Sequence, residues 1–296
     1  MSSLFNSMGR SKIPLGFLVL STFLNIMLDI VFVACFKMGV EGVAYATLIA
    51  QGLSAVLSMI VFFKSLKKFN CGKAPLFSKS VFNEMFGIAL PSIFQQVTIT
   101  VGMMLVQAVV NTFGSDVLAG FSAAMRVEWF FIVPMTAIGS ALSSYCAQNI
   151  GAGKLERVPQ GLKAAWLVIA IYAIGIAFAM ELGNHQIAAL FLGANGSAKA
   201  YEIAQNYMAI TGWFYCIMGF KNSTDSILRG SGDMKMFMIG NFVNLGIRVA
   251  MAFILAPTYG MFVIAIALPL GWLANFIISA GRYKQGKWKK IYVKGN

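Results

Sequence analysis

The sequence predicts an all-α protein that crosses a membrane several times. Of its 296 residues, 58% are hydrophobic and only 11% are charged, whereas soluble domains carry about 25% charged residues. Eight apolar runs are long enough to cross a bilayer, which takes roughly 20 residues of helix. Backbone polar groups find no water in lipid, so each spanning run must satisfy them internally as a helix. The fold class is therefore a polytopic membrane protein of eight transmembrane helices.

The predicted spans follow one another with short polar connections between them. They cover residues 15–36, 39–63, 86–111, 117–147, 160–182, 203–227, 236–256 and 260–281. Pro134 and Pro269 lie inside the fourth and eighth spans. Because proline lacks an N–H group and breaks the helical hydrogen-bond ladder, we expect those two helices to be interrupted.

The basic residues are distributed unevenly between the two sides of the predicted membrane. Of the 23 Lys and Arg residues, 18 fall in connections on one side or in the two termini, and only Lys37 and Lys199 fall on the other. Loops rich in Lys and Arg stay in the cytoplasm, so both termini are predicted to be cytoplasmic. The net charge of +13 then reflects topology and contact with the lipid bilayer, and no nucleic-acid partner is expected.

Two stretches of the sequence, 8–29 and 231–248, share a positional pattern. Each opens with a Gly and a Lys three residues later, and each carries a mid-span Asn followed four residues on by a charge, namely Asn25 with Asp29 and Asn244 with Arg248. Six spans separate the two copies, so both insert in the same orientation, as in the parallel repeats of transporters.

A six-span repeat unit divides the chain unequally. Residues 1–63 are then the last two helices of an N-terminal lobe, 64–85 form a cytoplasmic linker, and 86–296 form a complete six-helix C-terminal lobe with a basic tail. On this interpretation four further helices are expected before Met1, and the chain without them is expected not to transport.

Several motifs, in order and at matching spacing, resemble those of one transporter family. They are FLNIMLDIVF (23–32), VEGVAYATLIAQ (40–51), ALPSIFQQ (89–96), VNTFGSDVLAGFSAAMRVEWF (110–130), AQNIGAGKLERV (147–158) and LRGSGDMK (228–235). The chain resembles the multidrug and toxic compound extrusion (MATE) family, in its DinF-like branch, over nearly its whole length. The resemblance implies helices five to twelve of a two-lobe transporter. It also implies antiport, in which a proton or sodium ion enters while a small organic substrate, often cationic, leaves.

The chain departs from the family pattern at its acidic positions. The acidic residue of the family's first helix has no counterpart in this chain. Where some relatives carry an acidic residue in the seventh helix, this chain has Gln95 and Gln96 nearby, and Met218 stands near the tenth-helix Asp. These replacements argue against a sodium site of that type. Gln95 and Gln96 remain candidates for contact with substrate, or for hydrogen bonds between helices.

Arg126 and Glu128 are two charges inside one apolar run. A helix points residues two apart in directions that differ by about 200°, so they cannot pair with each other and each needs a partner elsewhere. Either Glu128 binds the coupling proton or cation, or it forms half of a structural ion pair between helices. Arg126 stays protonated, so it is expected to be structural or to line the cavity.

The remaining intramembrane charges have the same two interpretations. Asp29 is the second candidate for ion coupling; it shares a helix face with Asn25, which faces either the cavity or a helix end. Arg248 is a candidate cavity residue or a structural cation. Lys221 and Asp225, four residues apart, are expected to form an ion pair at the cytoplasmic interface.

Two alternatives to antiport stay open from the sequence. A flippase for lipid-linked oligosaccharides, from the same superfamily, would need a cavity rich in Arg and Lys. A non-transporting membrane fragment is the other. An integral membrane enzyme is not expected, because the only histidine, His185, is predicted to lie in a loop and no metal-binding motif is present. We therefore expect no metal and no cofactor.

Overall fold

A computed structural model describes residues 2–66, 77–193 and 196–289 of the chain. The chain folds into two compact units, Met1–Ser78 and Lys79–Asn296. Their boundary falls within the stretch 64–85 predicted as a linker, of which residues 67–76, including Cys71, lie outside the described residues. Each unit has its own helical packing.

The first unit is a helical hairpin preceded by a short helix. It consists of α1 (Ser2–Ser7), α2 (Lys12–Asp29), a π-helical segment (Ile30–Cys35) and α3 (Gly39–Leu66). The Ser54 hydroxyl of α3 donates to the Phe17 carbonyl of α2 at 3.2 Å. Small residues at Gly42, Ala46 and Ala50 are buried, and this spacing allows helices to approach closely in a membrane.

The second unit contains the remaining helices. They are α4 (Lys79–Asn111), α5 (Ser115–Gly151), α6 (Arg157–Leu192), α7 (Ala198–Gly212), α8 (Tyr215–Gly230), α9 (Met234–Ala250), a π-helical segment (Met251–Leu255), α10 (Ala256–Tyr259) and α11 (Met261–Lys284). α5 packs against α6, α7 and α8, while α11 packs against α8 and α9. The largest apolar core of this unit lies among α5, α6, α7, α8 and α11.

Among the described residues, seven helices are long and apolar enough to cross a membrane. They are Lys12–Cys35, Gly39–Leu66, Lys79–Asn111, Ser115–Gly151, Arg157–Leu192, Met234–Tyr259 and Met261–Lys284. Large apolar side chains such as Leu182 and Leu190 are exposed on these helices, as expected for surfaces that face lipid tails. The predicted class of an all-α polytopic membrane protein is confirmed.

The predicted sixth span, 203–227, is wrong as a single helix. α7 ends at Gly212 and α8 begins at Tyr215, with a two-residue turn between them. Glycine and aromatic residues are poorer helix formers than Ala or Leu, so this Gly followed by three aromatic residues is a weak point. The apolar pattern of the sequence does not reveal this break, because aromatic residues are themselves apolar.

Together α7 and α8 cover the predicted sixth span and lie beside α5. Gly120 of α5 lies against Ala200 at the start of α7, and Ser143 lies against Gly230 at the end of α8. The residue numbers rise together along both partners, so the two short helices run end to end and parallel to α5.

The proline positions were expected to interrupt helices, and this expectation is wrong. α5 continues through Pro134 and α11 continues through Pro269. Neighbouring helices satisfy backbone groups that proline frees in membrane helices. Beside Pro134, the Tyr172 hydroxyl donates to the Phe131 carbonyl at 3.3 Å, and the Asn222 amide donates to the Met135 carbonyl at 3.0 Å.

His185 was expected in a loop, and it lies instead within α6. That helix continues past the predicted end at residue 182 as far as Leu192. The His185 ring is exposed and stacks on Tyr201, with ring centroids 5.4 Å apart. A helix can extend beyond the apolar run because its backbone hydrogen bonds are internal and do not depend on lipid.

A similar order of elements occurs twice in the chain. α2 and α9 each lead into a π-helical segment. α3 follows the first segment and begins at Gly39, whose φ is 60°. The short α10 follows the second segment, and Gly260, whose φ is 71°, lies immediately before α11. π-Helical turns are rare and often mark functional sites. Asp29 lies immediately before the first π-helical segment, and Arg248 lies within one turn of the second.

Candidate functional site

Glu128 is the buried carboxylate of α5. Its residue is 5% exposed, whereas Arg126 on the same helix is exposed. The two side chains therefore point to different surroundings, as their two-residue spacing on a helix requires. Burying a carboxylate is costly unless it is hydrogen-bonded and faces a compensating charge.

Tyr207 of α7 supplies the hydrogen bond to this carboxylate. Its hydroxyl donates to Glu128 Oε2 at 2.9 Å, and it also lies 3.6 Å from Met125 Sδ. The Tyr207 ring packs edge-on against Phe121, with centroids 5.5 Å apart. The Tyr207 ring packs between α5 and α7, and this packing orients its hydroxyl toward the carboxylate.

Arg248 of α9 is the cation that faces Glu128. It is half-buried and lies close enough to interact electrostatically with the carboxylate. Among the described residues, no ion pair within 4.0 Å joins the two. In the same part of the chain, Arg248 Nε and Asn244 Oδ1 are buried without a hydrogen-bond partner. Glu128 thus has a counter-charge nearby but no direct ion pair in the described part of the chain.

Asn25 lines a polar cavity inside the first unit. Its amide donates to the Thr47 hydroxyl at 3.3 Å. The cavity is an open cleft of about 470 Å³ with apolar as well as polar lining, and its other polar lining side chains are Ser2, Ser21, Thr22, Gln51, Ser54 and Ser58. Hydroxyl and amide groups of this kind fix the orientation of small ligands in pockets.

Asp29 does not line that cavity. It is the last residue of α2, it is half-buried, and Oδ1 has no hydrogen-bond partner within the described ranges. Asn25 and Asp29 share a helix face but have different surroundings, because the cavity ends at Asn25 and does not reach the last turn of α2.

The two glutamines of α4 have different exposures. Gln95 is half-buried in a small cleft with Asn241 and Phe242 of α9, and Gln96 is exposed. Gln95 therefore has a contact partner on another helix, and Gln96 points away from the interior of its unit.

A second polar site had been only partly predicted. Lys221 and Asp225 form the expected ion pair, with Nζ 2.9 Å from Oδ2, and the pair is enclosed by other helices. Asp225 is only 3% exposed, because α9 and α11 cover it with three further polar residues: Asn241, Asn275 and Ser279. The signal in the sequence was the four-residue spacing of Asn275 and Ser279 inside an otherwise apolar run.

Comparisons with known proteins agree on one family. The family model described as MatE matches residues 91–254, more than half of the chain. The probable multidrug resistance protein YpnP of Bacillus subtilis is 26% identical over 98% of this chain and 64% of its own length. The probable multidrug resistance protein NorM of Thermotoga maritima is 22% identical over 98% of this chain and 63% of its own length.

A solved structure has the same fold. A crystal structure of a mutant MATE transporter from Vibrio cholerae superposes with a TM-score of 0.87 at 18% identity, covering 98% of this chain and 66% of that one. The chain spans less than two thirds of the length of these relatives. Its matched family model, its helices and its similarity over nearly its full length lead to one conclusion: the chain belongs to the MatE family of multidrug and toxic compound extrusion transporters.

Proposed function

We propose that the chain is part of a secondary active antiporter that exports organic, cationic drugs or metabolites in exchange for protons or sodium ions. The proposed location is the plasma membrane of a bacterium, crossed several times, with both termini in the cytoplasm. The names of the relatives as multidrug resistance proteins support the substrate class. The positive-inside distribution of Lys and Arg supports the orientation.

The buried Glu128 carboxylate is the observation on which the proposal mainly rests. A group that can hold either a proton or an organic cation makes the binding of the two mutually exclusive. Such competition is a coupling free energy between two ligands, and it is reciprocal. Tyr207 donates a hydrogen bond to Glu128 from α7, and Arg248 of α9 acts on the carboxylate electrostatically without forming a direct ion pair with it.

The flippase alternative has less support. It needs cations free to bind a pyrophosphate, and in the described part of the chain the intramembrane cations are otherwise engaged. Lys221 is paired with Asp225, and Arg248 faces Glu128. Arg126 is exposed and does not cluster with the other two cations.

Binding of an organic cation to the purified chain tests the proposal directly. Tetraphenylphosphonium affinity is measured by isothermal titration calorimetry at about pH 8 and about pH 5.5. Protonation removes the negative charge of Glu128, so affinity should fall at low pH by about tenfold, which corresponds to about 1.4 kcal/mol. Glu128→Gln keeps the shape and removes the titration, so its affinity should be weak at both pH values.

Two further variants make the result specific. Arg126→Gln alters an exposed charge on the same helix and should bind as the unaltered chain does. Asp29→Asn tests the second candidate in the other unit. If Glu128→Gln binds the cation with unchanged affinity and pH dependence, the coupling role of Glu128 is wrong. Binding without movement of the cation across proteoliposomes would favour the non-transporting alternative.

A further inference from the structure

The ammonium of Lys221 lies in a ring of oxygen atoms contributed by three helices. Its Nζ is 2.9 Å from Asp225 Oδ2 on its own helix α8 and 3.1 Å from Asn241 Oδ1 on α9. Asn275 of α11 completes the ring. With its amide turned so that both of its atoms are satisfied, its oxygen accepts from Nζ at 3.2 Å.

The Lys221 ammonium has as many oxygen acceptors around it as it has N–H donors. A lysine ammonium has three N–H groups and no acceptor, and three oxygens from three side chains surround this one. In the same orientation the Asn275 nitrogen donates to Asp225 Oδ1 at 3.3 Å and to the Ser279 hydroxyl at 3.1 Å. Ser279 in turn donates to Asp225 Oδ1, so the carboxylate is held from both sides.

This ring is buried and separate from the neighbouring charges. The side chains of Lys221 and Asp225 are 12% and 4% exposed, and Asn275 and Ser279 are fully buried. Arg229 acts on Asp225 electrostatically without forming an ion pair with it in the described ranges. Arg282 pairs with a different carboxylate, that of Asp233.

We propose that Asp225, Asn241 and Asn275, with Ser279 holding the carboxylate in place, form a site for a monovalent cation, and that the Lys221 ammonium occupies it as a cation tethered to the protein. Carboxylate and amide oxygens are the hard donors that cations of the main groups prefer. The charge of the site is −1, from Asp225, and one ammonium neutralises it. The site therefore takes no free sodium ion while Lys221 is present, and it gains a sodium site when the ammonium is removed.

The physical basis is the cost of an unpaired buried charge. Removing one partner of a buried pair leaves the other uncompensated, which is strongly destabilising. A sodium ion can replace the missing charge in the space that the lysine side chain leaves. This inference concerns the C-terminal network alone and does not rest on transport or on Glu128, so it can fail or succeed independently of the proposed function.

The test compares thermal unfolding of the purified protein in sodium and choline chloride. Lys221→Ala removes the ammonium and leaves space for an ion. At about pH 8, the midpoint of its thermal unfolding should rise when NaCl is raised from zero to about 0.3 M. Choline chloride keeps the ionic strength constant. The unaltered chain reports sodium bound elsewhere, and the rise in Lys221→Ala should exceed its rise by about 4 °C. The double variant Lys221→Ala/Asp225→Asn, which lacks the charge to be balanced, should lose the sodium effect.

Arg282→Ala is the matched control, because it also leaves a buried carboxylate unpaired but one without the ring of amide oxygens. A sodium effect of equal size in Arg282→Ala would overturn the proposal, since the ring would then be unnecessary. If Lys221→Ala folds poorly, the yield of monodisperse protein extracted in each salt replaces the melting curve. A higher yield in NaCl supports the tethered cation; equally low yields in both salts overturn it, because sodium then fails to replace the ammonium.

Discussion

Glu128 and Lys221 are two charges buried in the same unit, and they are compensated in different ways. Lys221 has three oxygen acceptors within 3.2 Å and contacts its counter-charge directly. Glu128 has one short hydrogen bond, from Tyr207, while its counter-charge Arg248 stays out of contact. A fully satisfied group holds the structure together, whereas a partly satisfied one can still change its ligand. On this basis the residue proposed for ion coupling is Glu128.

At the residue scale, the hydrogen bond from Tyr207 should be worth more than an ordinary one. Tyr207→Phe removes a donor to a charged acceptor, and we expect a loss of about 1–2 kcal/mol of unfolding free energy. The measurement is thermal unfolding in detergent with sodium held constant.

Tyr172→Phe is the control for this prediction, because Tyr172 donates to a neutral carbonyl at 3.3 Å. Its loss should be smaller, about 0.6 kcal/mol. Equal losses in the two variants would show that the charge on Glu128 adds nothing to the Tyr207 bond.

α7 and α8 show how one predicted span can be covered by two helices that are each too short to cross a bilayer. α7 has 15 residues and α8 has 16, while a bilayer takes roughly 20. The pair contacts α5 along much of its length, from Gly120 to Ser143. The break separates the half that carries Tyr207 from the half that carries Lys221 and Asp225, so each polar site has its own short helix.

At the element scale, the contact of α5 with α7 depends on a missing side chain. A Cβ at Gly120 would clash with the Ala200 carbonyl oxygen, and a backbone atom cannot move aside as a flexible side chain can. Gly120→Ala should therefore destabilise the protein by about 1–3 kcal/mol, read from its thermal unfolding.

Gly175→Ala in α6 is the matched control, since no heavy atom lies within 4 Å of the added Cβ. Alanine is the better helix former, so this variant should be neutral or more stable by about 0.5–1 kcal/mol. A Gly120→Ala protein as stable as Gly175→Ala would show that α5 and α7 can separate without cost.

For the whole molecule, the uneven distribution of Lys and Arg predicts a single orientation in the membrane. The first connection, after the span that contains Cys35, should face outward, because Lys37 is its only basic residue. The second, which contains Cys71, should face the cytoplasm, because it is rich in lysine. These two cysteines flank α3 on either side in the sequence.

Labelling of single cysteines tests this orientation. In one variant only Cys35 is kept and in another only Cys71, the remaining cysteines being replaced by alanine. In intact cells a membrane-impermeant maleimide should label Cys35, which is exposed, and should label Cys71 only after the membrane is made permeable. The reverse pattern would invert the proposed topology and place both termini outside.

The class of the molecule and most of its crossings could be predicted from residue types alone. Apolar composition, the length of apolar runs and the position of Lys and Arg depend on each segment's own transfer to lipid, which needs no knowledge of its neighbours. The motifs of the family likewise stand in the sequence. The sequence interpretation missed the break after Gly212, because the weak helix formers there are themselves apolar. It also wrongly expected an interruption at Pro134, because continuity there depends on which helices pack alongside.

The polar sites depended on distances that no local pattern contains. A helix period could show that Arg126 and Glu128 point apart, but it could not show that Tyr207, far along the chain, would donate to Glu128. Asn241 and Asn275 meet Lys221 only because α8, α9 and α11 pack together. Each of these side chains, taken alone in its own apolar run, is a costly polar group; packing against the other helices supplies the partners that make it stable.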